Sequence, residues 1–420
     1  MAPLAKGGLV VWVPPLLAIW VSALVIISFS YWIGIGYLWD KWHLGWFSVW
    51  LVVSLYCLIS VLLGQYFPLI EQLIPEGLNA QEISAPFYPL NTVSYWSEFS
   101  TYWALAWICA SLNKSSVKLI FGAIVIAALF QAIYGLVAFV HGQETILGIW
   151  QKTRYFESVT GTFYNRNHLA GFFAIALPVG ITFILKRPIF RWERKMLFRI
   201  VLCTAFASLI CIALLGTASR LGILCAFVGM LIWLRLNRIK YHADKEKRSI
   251  WIIRLVILSF VFFLGLWFGF DTLLTRLMEL PDATSRIEIW SAMLNVPWQV
   301  WILGVGPGAF IDVYKLVQPL GQIPSYWRAH NEYLQFVFEF GIVGTVCVFV
   351  SLSFWFRWCR PKRLSYLQIA AFAAISAIAL HSLGDFDLQV PGTAVPFWIC
   401  LGVLFNRQLS DSNMGKSRLL

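Results

Sequence analysis

Charged residues are scarce in this 420-residue chain, where Asp, Glu, Lys and Arg make up 12% of the sequence. Soluble domains carry about 25%. Hydrophobic residues make up 60%, and tryptophan alone occurs 22 times. A water-soluble globule of this size has too little interior to bury so much apolar surface. The composition therefore excludes a soluble enzyme, a disordered chain and a disulfide scaffold, and it favours a polytopic membrane protein.

Signatures of several other site classes are missing. There is no Cys-x-x-Cys pair and no cysteine spacing of a metal site, and the eight cysteines lie mostly inside apolar runs as expected for small buried hydrophobes. The sequence also lacks a P-loop, a dinucleotide-binding glycine motif, a His-Glu-x-x-His motif and a Gly-x-Ser-x-Gly elbow. The glycine-rich stretch 304–308 contains a proline and is not followed by lysine, which predicts a turn rather than a nucleotide cradle. The first apolar stretch is too long for a signal peptide, so we expect it to stay in the membrane.

The net charge of +12 does not indicate nucleic-acid binding, because the positive residues gather in short segments between apolar runs. Three such groups, within 186–199, 235–254 and 357–363, hold 17 of the 32 Lys and Arg residues. Positive residues beside membrane spans mark the cytoplasmic side and attract anionic lipid. We therefore predict that 186–199, 235–250 and 357–364 are cytoplasmic, and that 68–93, 141–166 and 271–331 face the opposite side.

The hydropathy pattern predicts an all-α bundle of about eleven or twelve transmembrane helices, forming a single integral membrane domain over residues 1–420. Eleven spans place the N-terminus outside and twelve place it inside, with a cytoplasmic C-terminal tail in both cases. The loop 271–331 combines several tryptophans with apolar residues, which predicts short amphipathic helices lying on the bundle. The predicted spans are 12–38, 46–67, 94–112, 116–140, 167–185, 200–217, 219–235, 251–270, 332–356, 365–384 and 391–406.

Polar residues near membrane depth are energetically expensive, so each group of them is a candidate site. The first group, residues 161–171, opens a predicted span, and Asn165 or Asn167 is suited to cap that helix. A capped helix start with solvated Arg166 and His168 is the simpler interpretation of this group. The second group is Thr217-Ala218-Ser219-Arg220, a tight turn whose arginine is able either to grip phosphate or to anchor the chain at lipid headgroups.

Three further groups follow in the second half of the chain. Arg286 and Trp290 lie one helical turn apart and share a face, which favours a joint role over a surface pair of Arg286 with Glu288, since residues two apart do not share a helix face. His330 falls at or just before a helix start, where the helix dipole favours a neutral imidazole that accepts protons. Its neighbours Arg328 and Asn331 complete that group, for which an ordinary helix cap is the simpler interpretation. The last group, 381–391, contains two aspartates that fit either a structural turn or a role in orienting a sugar or a cation.

Five motifs in one order carry a resemblance to a known family. They are Gly-Thr-Phe-x-Asn-Arg-Asn-His from Gly161, Thr-x-Ser-Arg from Thr217, Ser-Arg-x-x-x-Trp from Ser285 with the glycine-rich stretch after it, His-Asn-Glu-Tyr-Leu-Gln from His330, and His-Ser-x-x-Asp-Phe-Asp-Leu-Gln-Val-Pro from His381. Together they resemble the bacterial O-antigen ligase and O-antigen polymerase superfamily over about residues 155–400. Residues 1–90 add only apolar spans to this resemblance.

The resemblance implies a GT-C-like inner-membrane glycosyltransferase of lipopolysaccharide or polysaccharide biosynthesis, with its active site facing the periplasm. Such enzymes take a glycan from undecaprenyl diphosphate and pass it to a sugar hydroxyl on lipid A core or on another lipid-linked glycan. The resemblance implies no cofactor and no metal. It assigns the catalytic roles to Arg220, Arg286 and His330. Secondary candidates for substrate contact are Arg166, Asn167, His168, Arg328, Asn331, Trp290 and Asp385.

The expected chemistry agrees with these assignments. Negative charge grows on the diphosphate as the glycosidic bond breaks, and two guanidinium groups are suited to stabilise it without a metal. An acceptor hydroxyl is a poor nucleophile, and a base such as His330 improves it by about 10²–10⁴-fold. One direct displacement inverts the anomeric configuration.

Other functions remain open at this level. Polymerase and ligase are nearly balanced, with the Asp-Phe-Asp-Leu-Gln segment slightly favouring polymer-type chemistry. A protein O-oligosaccharyltransferase belongs to the same class of enzyme. A lipid or polysaccharide transporter or flippase, which has charged or broken helices near mid-membrane, and a non-catalytic scaffold are the alternatives from other classes.

Overall fold

The computed structural model describes residues 13–34, 40–63, 89–186, 195–241, 281–296, 298–318, 326–361 and 363–411. Nearly all regular structure in these ranges is α-helix, which confirms the predicted all-α class. The long helices are α1 (Val13–Gly34), α2 (Lys41–Leu63), α3 (Pro89–Ser111), α4 (Lys114–Val140), α5 (Arg166–Lys186), α6 (Lys195–Gly216), α7 (Arg220–Tyr241), α11 (Glu332–Cys359), α12 (Tyr366–His381) and α13 (Pro391–Leu404).

The shorter elements lie between and after these helices. Three helices, α8 (Pro281–Leu294), α9 (Trp298–Leu303) and α10 (Phe310–Val317), form the described part of the predicted outer loop, as its tryptophan-rich pattern indicated. A short 3₁₀ turn, Asp387–Gln389, connects α12 to α13, and α14 (Arg407–Asp411) follows α13. One small antiparallel hairpin, β1 (Thr145–Ile146) with β2 (Trp150–Gln151), was not predicted from the sequence.

Ten of the eleven predicted spans coincide with helices, and the span 251–270 lies outside the described residues. Within the described ranges, five helices are long and apolar enough to cross a membrane. They are Lys41–Leu62, Lys114–Val140, Arg166–Leu185, Arg220–Arg238 and Glu332–Cys359, and four shorter apolar helices accompany them. The boundaries differ from prediction by a few residues, since α2 and α3 each begin five residues earlier than their apolar runs.

Helix α5 is the central helix of the bundle, because almost every residue along it is buried. It packs against α4, α6, α7 and α12. Small residues permit these close contacts: a Cβ on Gly180 would lie 2.4 Å from the Phe206 ring of α6. Likewise, a Cβ on Gly222 would lie 2.4 Å from Ala170 Cβ. The N-terminus of α5 is therefore fixed firmly against its neighbours, and residues there are well placed to position a site.

The outer helices are attached to α11 at a kink. Gly341 interrupts that helix with φ +61°, and a Cβ on Gly304 would lie 2.5 Å from the Gly341 nitrogen. Val305 N–H donates to Phe338 C=O at 3.0 Å, and Gly306 N–H donates to Glu339 C=O at 2.9 Å. The glycine-rich stretch is thus a docking segment as well as a turn, because only glycine allows this approach of two backbones with positive φ.

Candidate functional site

The first motif of the sequence analysis, Gly161 to His168 at the start of α5, is largely buried. Asn165 caps the helix by accepting the Asn167 N–H at 2.9 Å, as predicted. Thr162 N–H donates to Gln131 Oε1 of α4 at 2.8 Å, and Gln131 Nε2 donates to Thr162 Oγ1 at 2.7 Å. Gly161 has φ +55° immediately before this contact. The motif therefore fastens the start of α5 to α4.

Arg166 is buried, whereas the simpler sequence interpretation expected a solvated side chain. Its guanidinium carbon lies 5.2 Å from the centre of the Tyr155 ring, and its Nη1 lies 3.4 Å from Ser158 Oγ. The side chain thus braces the segment that precedes α5. Asn167 is partly exposed beside it. Of these two candidates for substrate contact, Asn167 is therefore the more accessible.

His168 and His381 share one carboxylate in the interior. His168 Nδ1 lies 2.8 Å from Asp387 Oδ1, and His381 Nδ1 contacts Asp387 Oδ2. All three side chains are at most 1% exposed. Burial by itself raises the pKa of Asp387, but the two imidazoles more than offset it and hold that pKa below its ordinary value. His168 is therefore enclosed by this contact, which ties α5 and α12 to the 3₁₀ turn.

Gly171 explains why α5 accepts this carboxylate. A Cβ at that position would lie 2.7 Å from Asp387 Oδ2, so a larger residue would push the carboxylate away from the histidines. The Phe386 ring then packs edge-on to His168 at 4.6 Å and to His330 at 4.8 Å. The segment 385–389 is consequently held between the core and the outer surface.

We expect Asp387→Asn to destabilise the protein by about 3–5 kcal/mol, because breaking a buried charged contact leaves its partners uncompensated. An asparagine offers one oxygen acceptor to two imidazole N–H groups. Thermal unfolding in detergent micelles measures this effect. Asp312→Asn is the matched control, since Asp312 accepts from Asn91 Nδ2 at 2.7 Å in a partly exposed position. Equal melting temperatures for Asp387→Asn and the parent protein would contradict the expected role.

Arg286 and His330 meet at a second buried carboxylate, that of Asp385. Arg286 Nη2 lies 4.0 Å from Asp385 Oδ2, and His330 Nδ1 lies 3.5 Å from Asp385 Oδ1. Asp385 is 1% exposed, while Arg286 and His330 are 23% and 22% exposed. The carboxylate is hence out of reach of solvent, whereas the arginine and the histidine retain accessible atoms.

The electrostatic environment of Asp385 keeps it ionised. Burial raises the pKa of this carboxyl, but the neighbouring imidazoles of His168 and His330 outweigh burial and hold the pKa below its ordinary value. Its Oδ2 atom is buried without a hydrogen-bond donor. A fixed negative charge therefore faces both an arginine from α8 and a histidine that precedes α11.

Arg220 is the first residue of α7, at the end of the bundle where Asp385 also lies. The preceding turn contains Ala218 with φ +51°, and Ser219 Oγ accepts the Gly222 N–H at 3.3 Å, so that the first turn of α7 is capped. Leu221 and Arg286 both border Gly384, where a Cβ would lie 2.7 Å from Leu221 Cδ2 and 3.4 Å from Arg286 Nη1. Arg220 is exposed and directly precedes Leu221. It is therefore next to the residue through which α7 approaches Gly384 and the Arg286–Asp385 pair.

The remaining predicted residues surround His330. Trp290 Nε1 donates to the Ala329 carbonyl at 2.8 Å, so the tryptophan contacts the backbone next to the histidine. Asn331 caps α11 by accepting the Leu334 N–H at 3.0 Å, as the position of His330 predicted. Arg328 is partly exposed, and its Nη1 donates to the Trp327 carbonyl at 3.1 Å.

Sequence reasoning assigned no role to three polar residues of α11, although the motif that begins at His330 contains two of them. Glu332 accepts from Leu388 N–H at 2.9 Å and from Gln389 Nε2 at 2.8 Å. Gln335 accepts the Ala329 N–H at 3.0 Å, and Glu339 accepts the Gly308 N–H at 3.0 Å. Their spacing of three and four residues on an otherwise apolar helix is the signal that could have revealed them, because such residues share one face.

Comparison with known proteins gives one match. Residues 204–349 match the family model described as O-antigen ligase, so this part of the chain is similar to that family. This match confirms the superfamily resemblance and supports a glycosyltransferase of the O-antigen ligase or polymerase type, a family that implies lipid-linked glycan and acceptor substrates. No curated protein and no solved structure matches the chain.

The matched O-antigen ligase segment contains Arg220, Arg286 and His330 but ends before the two buried aspartates. Asp385 and Asp387 nevertheless contact residues that lie within or before that segment. Among the residues that the structure describes, no group of three or more His, Cys, Asp and Glu side chains is arranged to hold a metal ion.

Proposed function

We propose that this protein is an inverting, metal-independent glycosyltransferase that moves a glycan from undecaprenyl diphosphate to a sugar hydroxyl. The observation that carries the proposal is the meeting of Arg286 and His330 on the two oxygens of Asp385, beside the start of α7 where Arg220 stands. These residues come from separate parts of the chain. Bringing charged groups together near membrane depth costs free energy, and such clusters typically mark functional sites. The presence of Arg220, Arg286 and His330 in the segment similar to the O-antigen ligase family supports the assignment.

The proposed reaction is a single displacement at the anomeric carbon. The acceptor oxygen forms a bond to that carbon while the bond between carbon and diphosphate oxygen breaks, and the electron pair leaves with the diphosphate. The hydroxyl proton passes to Nε2 of His330, because Nδ1 faces Asp385. Attack from the side opposite the leaving group inverts the anomeric configuration.

Arg286 and Arg220 are proposed to stabilise the departing diphosphate. Planar guanidinium groups bind phosphate oxygens with two parallel hydrogen bonds. Arg220 also stands at the N-terminus of a 22-residue helix, where the positive end of the helix dipole favours an anion. The guanidinium groups and the helix N-terminus are both suited to stabilise negative charge on the diphosphate. That charge develops only as the glycosidic bond breaks, and stabilising it in the transition state accelerates the reaction.

We further propose that the site faces the periplasm in the bacterial inner membrane. The start of α5, helix α8, the residues just before α11 and the connection between α12 and α13 contribute to the site, and they lie at the ends of α5, α11 and α12 opposite those that adjoin the basic segments of the sequence. Positive residues mark the cytoplasmic side. A transporter is expected to place its polar groups near mid-membrane, whereas here they gather at helix ends.

A transfer assay tests the proposal. Purified protein in lipid nanodiscs is mixed with an undecaprenyl diphosphate glycan and either lipid A core or a second lipid-linked glycan, with and without a chelator. We expect a transferred glycan with inverted anomeric configuration and an unchanged rate in the chelator. Transfer to lipid A core identifies a ligase, and chain extension identifies a polymerase. In a parallel assay with the protein in sealed lipid vesicles, movement of intact donor across the bilayer without any transfer would contradict the proposal and favour a flippase.

A further inference from the structure

We propose that Trp290 and Gln335 are positioning residues that hold His330 in its reactive orientation by fixing both backbone polar groups of Ala329. This inference rests on the proposed function, because it assumes that His330 accepts the acceptor proton. In this proposal Trp290 positions the backbone next to His330 rather than stacking on a sugar, and Gln335 holds the same stretch of backbone.

His330 needs such support because of its backbone conformation. Its φ is +51°, in the left-handed region that non-glycine residues seldom occupy. A residue stays in that region only when its surroundings impose the conformation, and such residues concentrate at functional sites. A histidine that relaxed to an ordinary φ would turn its side chain away from Asp385.

The neighbouring residue, Ala329, is held from two sides. Trp290 Nε1 donates to its carbonyl at 2.8 Å, and Gln335 Oε1 accepts its N–H at 3.0 Å. Ala329 is fully buried, so no solvent is present to replace either hydrogen bond. The two bonds therefore fix the peptide groups on both sides of this residue, including the one that joins it to His330.

Gln335 is itself held in one orientation. Its Nε2 donates to Glu339 Oε1 at 2.9 Å, and Glu339 Oε2 accepts the Gly308 N–H at 3.0 Å. This orders the amide so that its oxygen faces Ala329. Since Gln335 is 3% exposed and Glu339 is 2% exposed, the chain of bonds is sheltered from water and links the docked glycine segment to the histidine.

The other side of His330 is also fixed. Asn331 caps α11, and Glu332 N–H donates to the Ser382 carbonyl at 2.9 Å. His330 thus sits between two anchored residues, and the anchor on the Ala329 side depends on Trp290 and Gln335. A displacement of about 1 Å in a catalytic group is able to cost about 10²-fold in rate.

The test uses Trp290→Phe, which keeps an aromatic face but loses the indole N–H, and Gln335→Met, which keeps the shape but loses the acceptor. We expect each variant to lower kcat about 10- to 10²-fold with KM for the donor unchanged within about twofold. The double variant is expected to lose less than the product of the two effects, since both bonds hold the same residue. Tyr333→Phe is the matched control, because it removes one hydrogen bond from the same helical turn, to the Ala379 carbonyl at 2.7 Å.

Amide hydrogen exchange over residues 326–333 gives a readout that needs no activity. We expect faster exchange in Trp290→Phe and Gln335→Met than in Tyr333→Phe. Unchanged kcat and unchanged exchange in both variants would overturn the inference, and so would a raised KM with unchanged kcat in Trp290→Phe. If the parent protein transfers no glycan, the proposed function fails, while the exchange result still decides whether the two residues hold Ala329.

Discussion

Replacing His330 with alanine is expected to lower the glycan transfer rate by about 10²–10⁴-fold, the usual contribution of a positioned general base. The acceptor hydroxyl then loses the group that takes its proton, and Asp385 loses the imidazole 3.5 Å from its Oδ1. The measurement is kcat for transfer from undecaprenyl diphosphate glycan under saturating donor. Donor binding should change little, because the arginines remain.

His141→Ala is the matched control for that experiment. His141 directly follows α4 and is exposed, and its backbone N–H donates to the Val137 carbonyl of that helix at 3.0 Å. It should transfer glycan at the parent rate. Retention of full activity in His330→Ala would remove the base from the mechanism and would leave the arginines without a partner in proton transfer.

Replacing Arg286 with glutamine is expected to lower kcat/KM by about 10- to 10²-fold. Charge-assisted hydrogen bonds contribute about 1.5–3 kcal/mol each, and about 1.4 kcal/mol corresponds to a factor of ten. The loss should fall mainly on kcat, because the diphosphate gains most of its charge in the transition state. Arg286→Lys should recover only part of the rate, since an ammonium lacks the planar pair of donors.

Lys315→Gln serves as the control for lost positive charge on the outer helices. Lys315 is an exposed cation in the last turn of α10. We expect this variant to keep the parent kcat/KM. Equal losses in Lys315→Gln and Arg286→Gln would show that general attraction of the anionic donor, rather than contact with its diphosphate, explains the arginine effect.

Much of the helix bundle was predictable, because a helix that crosses a lipid bilayer needs about 20 mostly apolar residues. Helices such as α4 and α5 need long apolar runs, and those runs were visible. The starts of α2 and α3 were placed late because each helix begins with polar residues before its apolar run. The short hairpin at Thr145–Ile146 escaped prediction because two-residue strands leave no recognisable period.

The candidate site was predictable in part. The motifs pointed to His330 and Arg286, and the structure brings these two together. Their meeting point at Asp385 was harder to infer, because the sequence equally allowed a structural turn there. The contact of His168 with Asp387 joins residues 219 positions apart, and no local pattern encodes such a pairing. The contact of the Trp290 indole N–H with the Ala329 carbonyl was not predictable either, since a sequence does not show which backbone group a side chain faces.

The place of the two buried aspartates in the chain has a consequence for biosynthesis. Asp385 and Asp387 lie in the connection just before α13, the last long helix described, so they leave the ribosome after every arginine and histidine that they contact. A nascent chain that has inserted only up to α11 holds His330 and Arg286 without their shared anion. On the proposed function, the anion that faces His330 and Arg286 therefore joins the site only after α11 and α12 have been synthesised.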